Sequence, residues 1–235
     1  MAIAINGSGT ITGVSAGGMP DNTIDNGSMA DDAIGVAELS ATGTASSSTF
    51  LRGDNAWGTP SGGKILQVVA NNVTGTSETT LDYYDGDMTD FKNIAALNTT
   101  ITTTAANSNI LVNLQFCGEP SNDDVNCRWV VSRTISGTIT YFVGASPGNK
   151  VPCTGVLIPA TYQQQNTSSV HPQTGLINYF DDIGTVASGT AVEYKLNIES
   201  GNGGITYNLN KNHDDTDDAG RERTISYMTL MEVAG

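Results

Sequence analysis

Hydrophobic and polar residues alternate along most of the chain after residue 63. The alternation is most regular in the segment VEYKLNI, residues 192–198, where every second side chain is apolar. A period of two is typical of a β-strand with one buried and one solvated face. We therefore predict a strand here.

Ten further segments bounded by turn-forming residues are also predicted as strands. They are residues 64–70, 79–84, 99–103, 110–117, 127–136, 138–143, 155–159, 176–180, 205–209 and 223–233. Ser136-Gly137 is a tight hairpin signal, and the last strand is apolar on both faces, as expected of a central strand or one packed against a neighbouring subunit. The chain is predicted to be all-β, with a jelly-roll-like β-sandwich over residues 63–235.

The first 62 residues differ from the sandwich. Their only basic residue is Arg52, and large apolar side chains are scarce, so this stretch cannot close a hydrophobic core as a monomer. Apolar residues nevertheless recur at a spacing of five, which suits neither a helix face nor a strand face. These residues are Ile24, Met29, Ile34 and Leu39.

Three parallel chains would bring one apolar residue per chain into a small buried layer at each repeat. We therefore predict that residues 1–62 form an attachment and shaft segment of a homotrimer. The alternative is a flexible polar linker in which the equal spacing arises by chance. Within it, residues 50–57 predict a tight turn clamped by Trp57, which explains Arg52-Gly53-Asp54 more simply than integrin binding does.

Several of these segments resemble fibre proteins of tailed bacteriophages. In that family an LRGDxxW element joins a shaft to a β-structured head, and here LRGDNAW runs from Leu51 to Trp57 and is followed by GKILQVV at 63–69. The segment MADDAIGVAEL at 29–39 is similar to the shaft repeats, and TISYMTLME at 224–232 is similar to the last strand of such heads. The resemblance implies a homotrimer that is assembled in the host cytoplasm, joins other virion proteins through its N-terminus and turns its heads towards the host.

Composition and charge exclude several other classes. Lys+Arg number 10 against Asp+Glu 24, a net charge of -14, which disfavours binding to nucleic acid and to anionic lipid. No stretch approaches the roughly 18 apolar residues of a membrane span, and the first ten residues lack the pattern of a secretion signal. We expect no membrane insertion.

The acidic residues suggest no enzyme, because they cluster in turns, where solvated carboxylates normally lie, and neither histidine belongs to a recognisable nucleophile arrangement. We expect no catalytic residues and no cofactor. Asp85, Asp87 and Asp90 could offer oxygens to Ca²⁺, as could the loop at 214–218, although the EF-hand pattern is absent; a solvated acidic turn is the alternative.

Cys117 and Cys127 are predicted to face each other at the base of a hairpin, as thiols rather than as a disulfide in a reducing cytosol. Aromatic and amide side chains in loops remain as candidates for binding a host-surface glycan. They are Tyr83, Tyr84, Asn122, Asp123, Tyr162 and His213. The sequence thus predicts an adhesive fibre; the alternatives are a structural capsid or neck fibre that binds no receptor, and a polysaccharide-degrading tailspike.

Overall fold

The structure is a computed structural model that describes residues 35, 39–60, 64–121, 126–145, 148–157, 173–217, 219 and 221–235. The chain divides into two compact units, residues 1–61 and 62–235. Of the predicted shaft positions, Ile24, Met29 and Ile34 lie outside the described residues, and Leu39 is half-buried in a bend.

In the first unit, the LRGDNAW segment forms the predicted tight turn between two short antiparallel strands, β1 (Phe50–Leu51) and β2 (Trp57–Gly58). The turn is closed by the Arg52 amide, which donates to the Ala56 carbonyl, and by Asn55, which adopts a left-handed φ of 57°. The Trp57 amide donates to the Thr42 carbonyl at 2.7 Å, so the residues before the turn are bound to it as well.

The second unit consists of two antiparallel β-sheets. The first sheet contains β3 (Ile65–Val73), β4 (Ser77–Leu81), β7 (Asn109–Pro120), β11 (Gln173–Asp181), β13 (Ile205–Leu209) and β14 (Ser226–Val233). The second contains β5 (Lys92–Asn93), β6 (Thr99–Thr102), β8 (Cys127–Ile135), β9 (Thr138–Phe142), β10 (Gly155–Leu157) and β12 (Ala191–Ser200). The only helical pieces among the described residues are the short 3-10 turns Met88–Asp90 and Ala95–Leu97.

Strand pairing gives a jelly-roll-like arrangement. In the first sheet β7 pairs with β11 on one side and with β14 on the other, and β14 in turn pairs with β3. In the second sheet β12 lies between β8 and the pair β5 and β6. Strands β6, β7 and β8 alternate between the two sheets, and so do β11, β12 and β13. Strands that are neighbours within a sheet are therefore mostly distant in sequence.

The predicted all-β sandwich is confirmed, and all eleven predicted strands are present. Two details differ. The strand predicted at 79–84 is Ser77–Leu81, because the chain leaves the first sheet after Leu81 and the Asp82 carbonyl accepts from the Ser200 amide of the second sheet. The two-residue strand β5 was not predicted, since two residues show no period.

The predicted hairpin between Cys117 and Cys127 is wrong. Cys117 lies in β7 of the first sheet and Cys127 in β8 of the second, so the two cysteines do not belong to one hairpin. Both thiols are free and buried, and the Cys117 sulfur lies 3.1 Å from the Thr174 hydroxyl. The predicted turn at Ser136-Gly137 is present, with left-handed φ angles of 49° and 82° at its two central residues.

The inward-facing residues of both sheets form one hydrophobic core. Its centre is aromatic: the Phe116 ring lies 5.2 Å from Trp129 and 6.4 Å from Tyr207, in edge-on contacts at 78° and 65°. Each of two glycines provides room for a ring on the neighbouring strand. Gly175 is paired with Phe116, and Gly155 with Trp129. A Cβ at Gly175 would lie 2.2 Å from two carbons of the Phe116 ring.

Tyr207→Phe is expected to increase the free energy of unfolding by about 1 kcal/mol, because the Tyr207 hydroxyl is buried and has no hydrogen-bond partner among the described residues. The control is Tyr194→Phe, since the buried Tyr194 hydroxyl donates to Asp181 Oδ2 at 2.7 Å and its loss should decrease stability by about 1–2 kcal/mol. Urea unfolding measures both variants. A Tyr207→Phe protein less stable than the wild type would show that the hydroxyl has a partner.

One carboxylate, that of Glu232, belongs to the core face of β14 and is completely buried. Its oxygens accept hydrogen bonds from Gln67 Nε2 at 2.7 Å and from Ser108 Oγ at 2.7 Å. The amides of Thr104 and Ala105 and the Thr104 hydroxyl donate to it as well, at 2.8–3.1 Å. Glu232 therefore joins the last strand to the first strand of the sandwich and to the connection between β6 and β7.

Candidate functional site

A cleft in the second unit lies where the connection after β4 meets the connection before β10. Its volume is 560 Å³, and it is lined by residues 83–86 on one side and 148–151 on the other. Both walls are connections between strands, which is where binding residues are usually displayed on a rigid sandwich. The cleft contains two of the sequence-predicted receptor residues, Tyr83 and Tyr84, and one of the predicted metal ligands, Asp85.

The two tyrosines of the cleft have different roles. Tyr83 is 56% exposed, and its backbone forms a bridge with Ser200, so the ring is presented to solvent from a backbone position tied to the second sheet. Tyr84 is half-buried: its ring meets Phe91 edge-on at 5.9 Å, and the guanidinium carbon of Arg128 lies 5.9 Å from its centre. Tyr84 supports the wall, and Tyr83 is the ring available to a ligand.

An ion pair lies next to this wall. Arg128 Nε donates to Glu199 Oε1, and the Glu199 side chain is completely buried on the outer face of β12. Burial raises the pKa of Glu199, and the Arg128 guanidinium opposes that shift by stabilising the carboxylate. Because the same guanidinium contacts the Tyr84 ring, the pair orients Arg128 and through it the tyrosine.

The acidic residues after the cleft are used mostly within their own turn. Asp90 Oδ2 accepts from the Asp85 amide at 3.0 Å, and repulsion by the Asp90 carboxylate raises the pKa of Asp85. Asp87 caps the 3-10 turn by accepting from the Thr89 amide at 2.8 Å, which lowers the pKa of Asp87. The described residues contain no group of three or more His, Cys, Asp or Glu side chains placed to hold a metal ion. Calcium at Asp85, Asp87 and Asp90 stays a prediction from the sequence.

Among the remaining predicted receptor residues, only His213 is described by the structure, and it does not line the cleft. Asn122, Asp123 and Tyr162 lie outside the described residues. His213 is exposed beyond the end of β13, where its amide donates to Glu119 Oε2 at 2.9 Å.

A smaller cleft of 360 Å³ is lined by residues 215–217 and by two arginines, Arg221 and Arg223. Each arginine pairs with a carboxylate of the same region: Arg221 with Asp214 at 3.0 Å, and Arg223 with Asp215. Both arginines of this cleft are therefore paired with carboxylates of the acidic loop, Asp214 and Asp215.

Two of the cysteines, Cys127 and Cys153, are poor nucleophiles. Burial, together with the nearby Glu199 carboxylate, raises the pKa of Cys127 to about 12. Burial also raises the pKa of Cys153. Neither residue is therefore a thiolate near neutral pH, which is the form that attacks substrates or binds metals.

Sequence reasoning missed one wall of the cleft and its support. Residues 148–151 follow a Pro-Gly turn signal, but nothing in the sequence connects that turn with Tyr83, more than 60 residues earlier. The sequence gives only a weak signal for the importance of Arg128 and Glu199. Arg128 is a charged residue in the strand predicted at 127–136, and Glu199 directly follows the strand predicted at 192–198. Their pairing follows from the register of β8 and β12, in which they are directly opposite.

Within the described residues no helix is long and apolar enough to span a membrane. No protein-family model and no curated protein matches the chain. Among solved structures, the chain is similar to one described as the structure of Eiger TNF from S. frugiperda, with 13% sequence identity and a TM-score of 0.31, over 71% of this chain and 93% of that chain. A likeness at this level assigns no function, so the function rests on the cleft and on the sequence itself.

Proposed function

We propose that the chain is the subunit of a trimeric fibre of a tailed-bacteriophage virion, and that its sandwich is a head that binds host-surface carbohydrate in the cleft beside Tyr83. The observation that carries the adhesive part is the exposed Tyr83 ring at an open cleft whose opposite wall provides Asn149 and Lys150. The fibre part rests on the resemblance of residues 29–69 to phage shaft and junction segments.

The chemistry of the cleft suits a sugar. The apolar face of a pyranose stacks on an aromatic ring, while its hydroxyls both donate and accept hydrogen bonds. Asp85 offers acceptors, Lys150 offers donors, and Asn149 offers both. Because Tyr83 is held through its backbone and Tyr84 through Arg128, the wall is ordered before a ligand arrives, which lowers the entropic cost of binding.

A shallow cleft with one stacking ring gives weak binding for a single head. Three heads on one fibre, and several fibres on one particle, raise the overall affinity by a factor of 10² or more when they bind together. Weak individual sites therefore suit a fibre whose heads engage a repeating polysaccharide. This mechanism requires neither a nucleophile nor a metal ion.

Tyr83→Ala is expected to weaken carbohydrate binding per head about fivefold, which corresponds to the loss of ~1 kcal/mol of ring stacking. The measurement is binding of the full-length protein to an array of purified bacterial surface polysaccharides. The control variant is Ile139→Ala, which truncates a similarly exposed side chain, 53% accessible, on β9. Equal loss in both variants would contradict the assignment of the cleft.

The same array separates the alternatives. Absence of binding to every polysaccharide, repeated with intact host cells of the phage, would favour a structural capsid or neck fibre. Shortening of a bound polysaccharide during incubation would instead favour a depolymerising tailspike. The proposed function predicts retained binding with no change in chain length.

A further inference from the structure

Where β3, β14, β7 and β11 lie side by side, the outer face of the first sheet carries no charged side chain. Glu119, which the register also places on this face, lies beyond that area at the end of β7, where it is buried and accepts from the His213 amide. The register of these strands places the following residues in the uncharged area: Ile65, Val68, Ala70, Asn72, Asn109, Leu111, Asn113, Gln115, Leu176, Asn178, Phe180, Tyr227, Thr229, Met231 and Val233. We refer to this surface as the neutral face.

The neutral face is apolar as well as uncharged. Leu176 is 62% exposed and Phe180 54%, on the edge strand β11; Ile65 and Val68 are each 55% exposed, on the opposite edge strand β3. Large apolar side chains at this exposure, in one continuous surface, mark an interaction site rather than an ordinary solvated surface. The remaining positions are mostly amides and hydroxyls.

The outer face of the second sheet is different. Glu193 and Lys195 form an ion pair at 2.9 Å on β12, and Arg128 of β8 pairs with Glu199 of β12. Its exposed apolar residues, such as Ile139, stand among polar neighbours: Ile139 is paired with Thr134. The absence of charge is therefore specific to the neutral face and does not follow from the composition of β-strands in this chain.

The neutral face is large enough for a protein interface. Four strands about 4.8 Å apart and about eight residues long present roughly 500 Å² in projection. A standard interface buries about 800 Å² of accessible surface per partner, a quantity that exceeds the projected area of the same patch because side chains are rough. The face thus matches the central part of a standard interface.

We propose that the neutral face binds further copies of this chain, so that the heads associate with one another through it. Two observations favour a second copy over another partner. The chain carries a net charge of -14, and the contact between like-charged copies is least unfavourable at a surface that buries no charge. The polar positions are chiefly Asn, Gln and Thr, whose side chains both donate and accept, so the face is complementary to itself.

This inference deepens the proposed function and rests on it for the number of copies, which is three. The predicted shaft places association in the N-terminal residues, whereas this inference places association in the head as well. Both sheets and the whole described core lie within residues 64–235, so the head contains everything needed to fold alone.

The test is sedimentation equilibrium of the isolated head, residues 62–235, and of the full-length protein, each from about 1 to 100 μM. The head is expected to associate without residues 1–61. Leu176→Asp and Phe180→Asp should each raise the dissociation constant of the head at least about tenfold, because each places an unpaired charge in the contact. Ile139→Asp, an equally drastic change at a similarly exposed site on the other sheet, should leave association unchanged.

A wild-type head that is monomeric at 100 μM overturns the inference. If the full-length protein still forms trimers in that case, association belongs to residues 1–61 and the proposed fibre stands. Equal loss of association with Ile139→Asp and Leu176→Asp would also overturn it. Heads that associate as expected but bind no polysaccharide would support the inference and contradict the adhesive function. Near-ultraviolet circular dichroism of each variant confirms that the sandwich is folded.

Discussion

Glu232→Gln is expected to decrease the free energy of unfolding by about 3 kcal/mol at pH 7. Burial raises the pKa of the Glu232 carboxyl, but hydrogen bonds from Ser108, Thr104, Gln67 and Ala105 outweigh burial and lower that pKa from 4.5 to about 2. At 1.36 kcal/mol per unit, this difference corresponds to about 3 kcal/mol of stability. A glutamine amide has only one oxygen that can accept from these donors. Its NH₂ group, which is itself a donor, would face the remaining ones.

The effect should depend on pH in a defined direction. Because the folded-state pKa is below the unfolded value of 4.5, the carboxylate contributes its full stabilisation above about pH 5 and loses it as the pH falls towards 2. The stability difference between the wild type and Glu232→Gln should therefore fall by about half by pH 3.

Urea unfolding at pH 7, 5 and 3 measures this difference. The control is Glu193→Gln, which removes a carboxylate that is 34% exposed and paired with Lys195 on the outer face of β12. We expect its effect to be below about 1 kcal/mol at every pH, as for other solvated ion pairs. A Glu232→Gln difference that stays constant from pH 7 to pH 3 would show that the hydrogen bonds do not depend on the ionised carboxylate.

Gly175→Ala is expected to decrease the free energy of unfolding by about 2–3 kcal/mol, although it adds a single methyl group. The new Cβ would lie 2.2 Å from the Phe116 ring, which is itself held by Trp129 and Tyr207, so the ring has little freedom to move away. The control is Gly75→Ala in the turn after β3, where nothing lies within 4 Å of the added Cβ and φ is not in the left-handed region.

A double-mutant cycle identifies the cause. Phe116→Leu alone removes part of a core aromatic ring and is destabilising. In the Gly175→Ala background, however, it relieves the clash, so the double variant should be more stable than the sum of the two single effects by about 1 kcal/mol. Strictly additive effects would show that the methyl group and the ring do not meet.

Much of the sandwich was predictable because a period of two is a local signal. Residues 192–198 alternate over their whole length, and this pattern specifies both the strand and its buried face. Pairing partners leave no such signal. Cys117 and Cys127 were assigned to one hairpin because they are close in sequence, whereas they lie in different sheets.

The candidate cleft was predictable only on one side. Consecutive aromatic and acidic residues at 83–85 are a local pattern, but residues 148–151 meet them through the tertiary fold alone. Glu232 is an intermediate case. Ser226, Met228 and Leu230 precede it on the same face of β14, so alternation places a carboxylate on the core side. Its donors come from the distant residues 67 and 104–108, which the pattern of the last strand does not reveal.

The position of β14 also affects how the protein is made. This strand lies between β3 and β7 in the first sheet, and the Ala234 amide donates to the Lys64 carbonyl at 2.7 Å. Residues 226–233 are synthesised after β3 and β7, so these two strands lack their shared neighbour until β14 has been made. A prematurely terminated product that stops before Ser226 would expose two unsatisfied strand edges and become a target for chaperones and proteases.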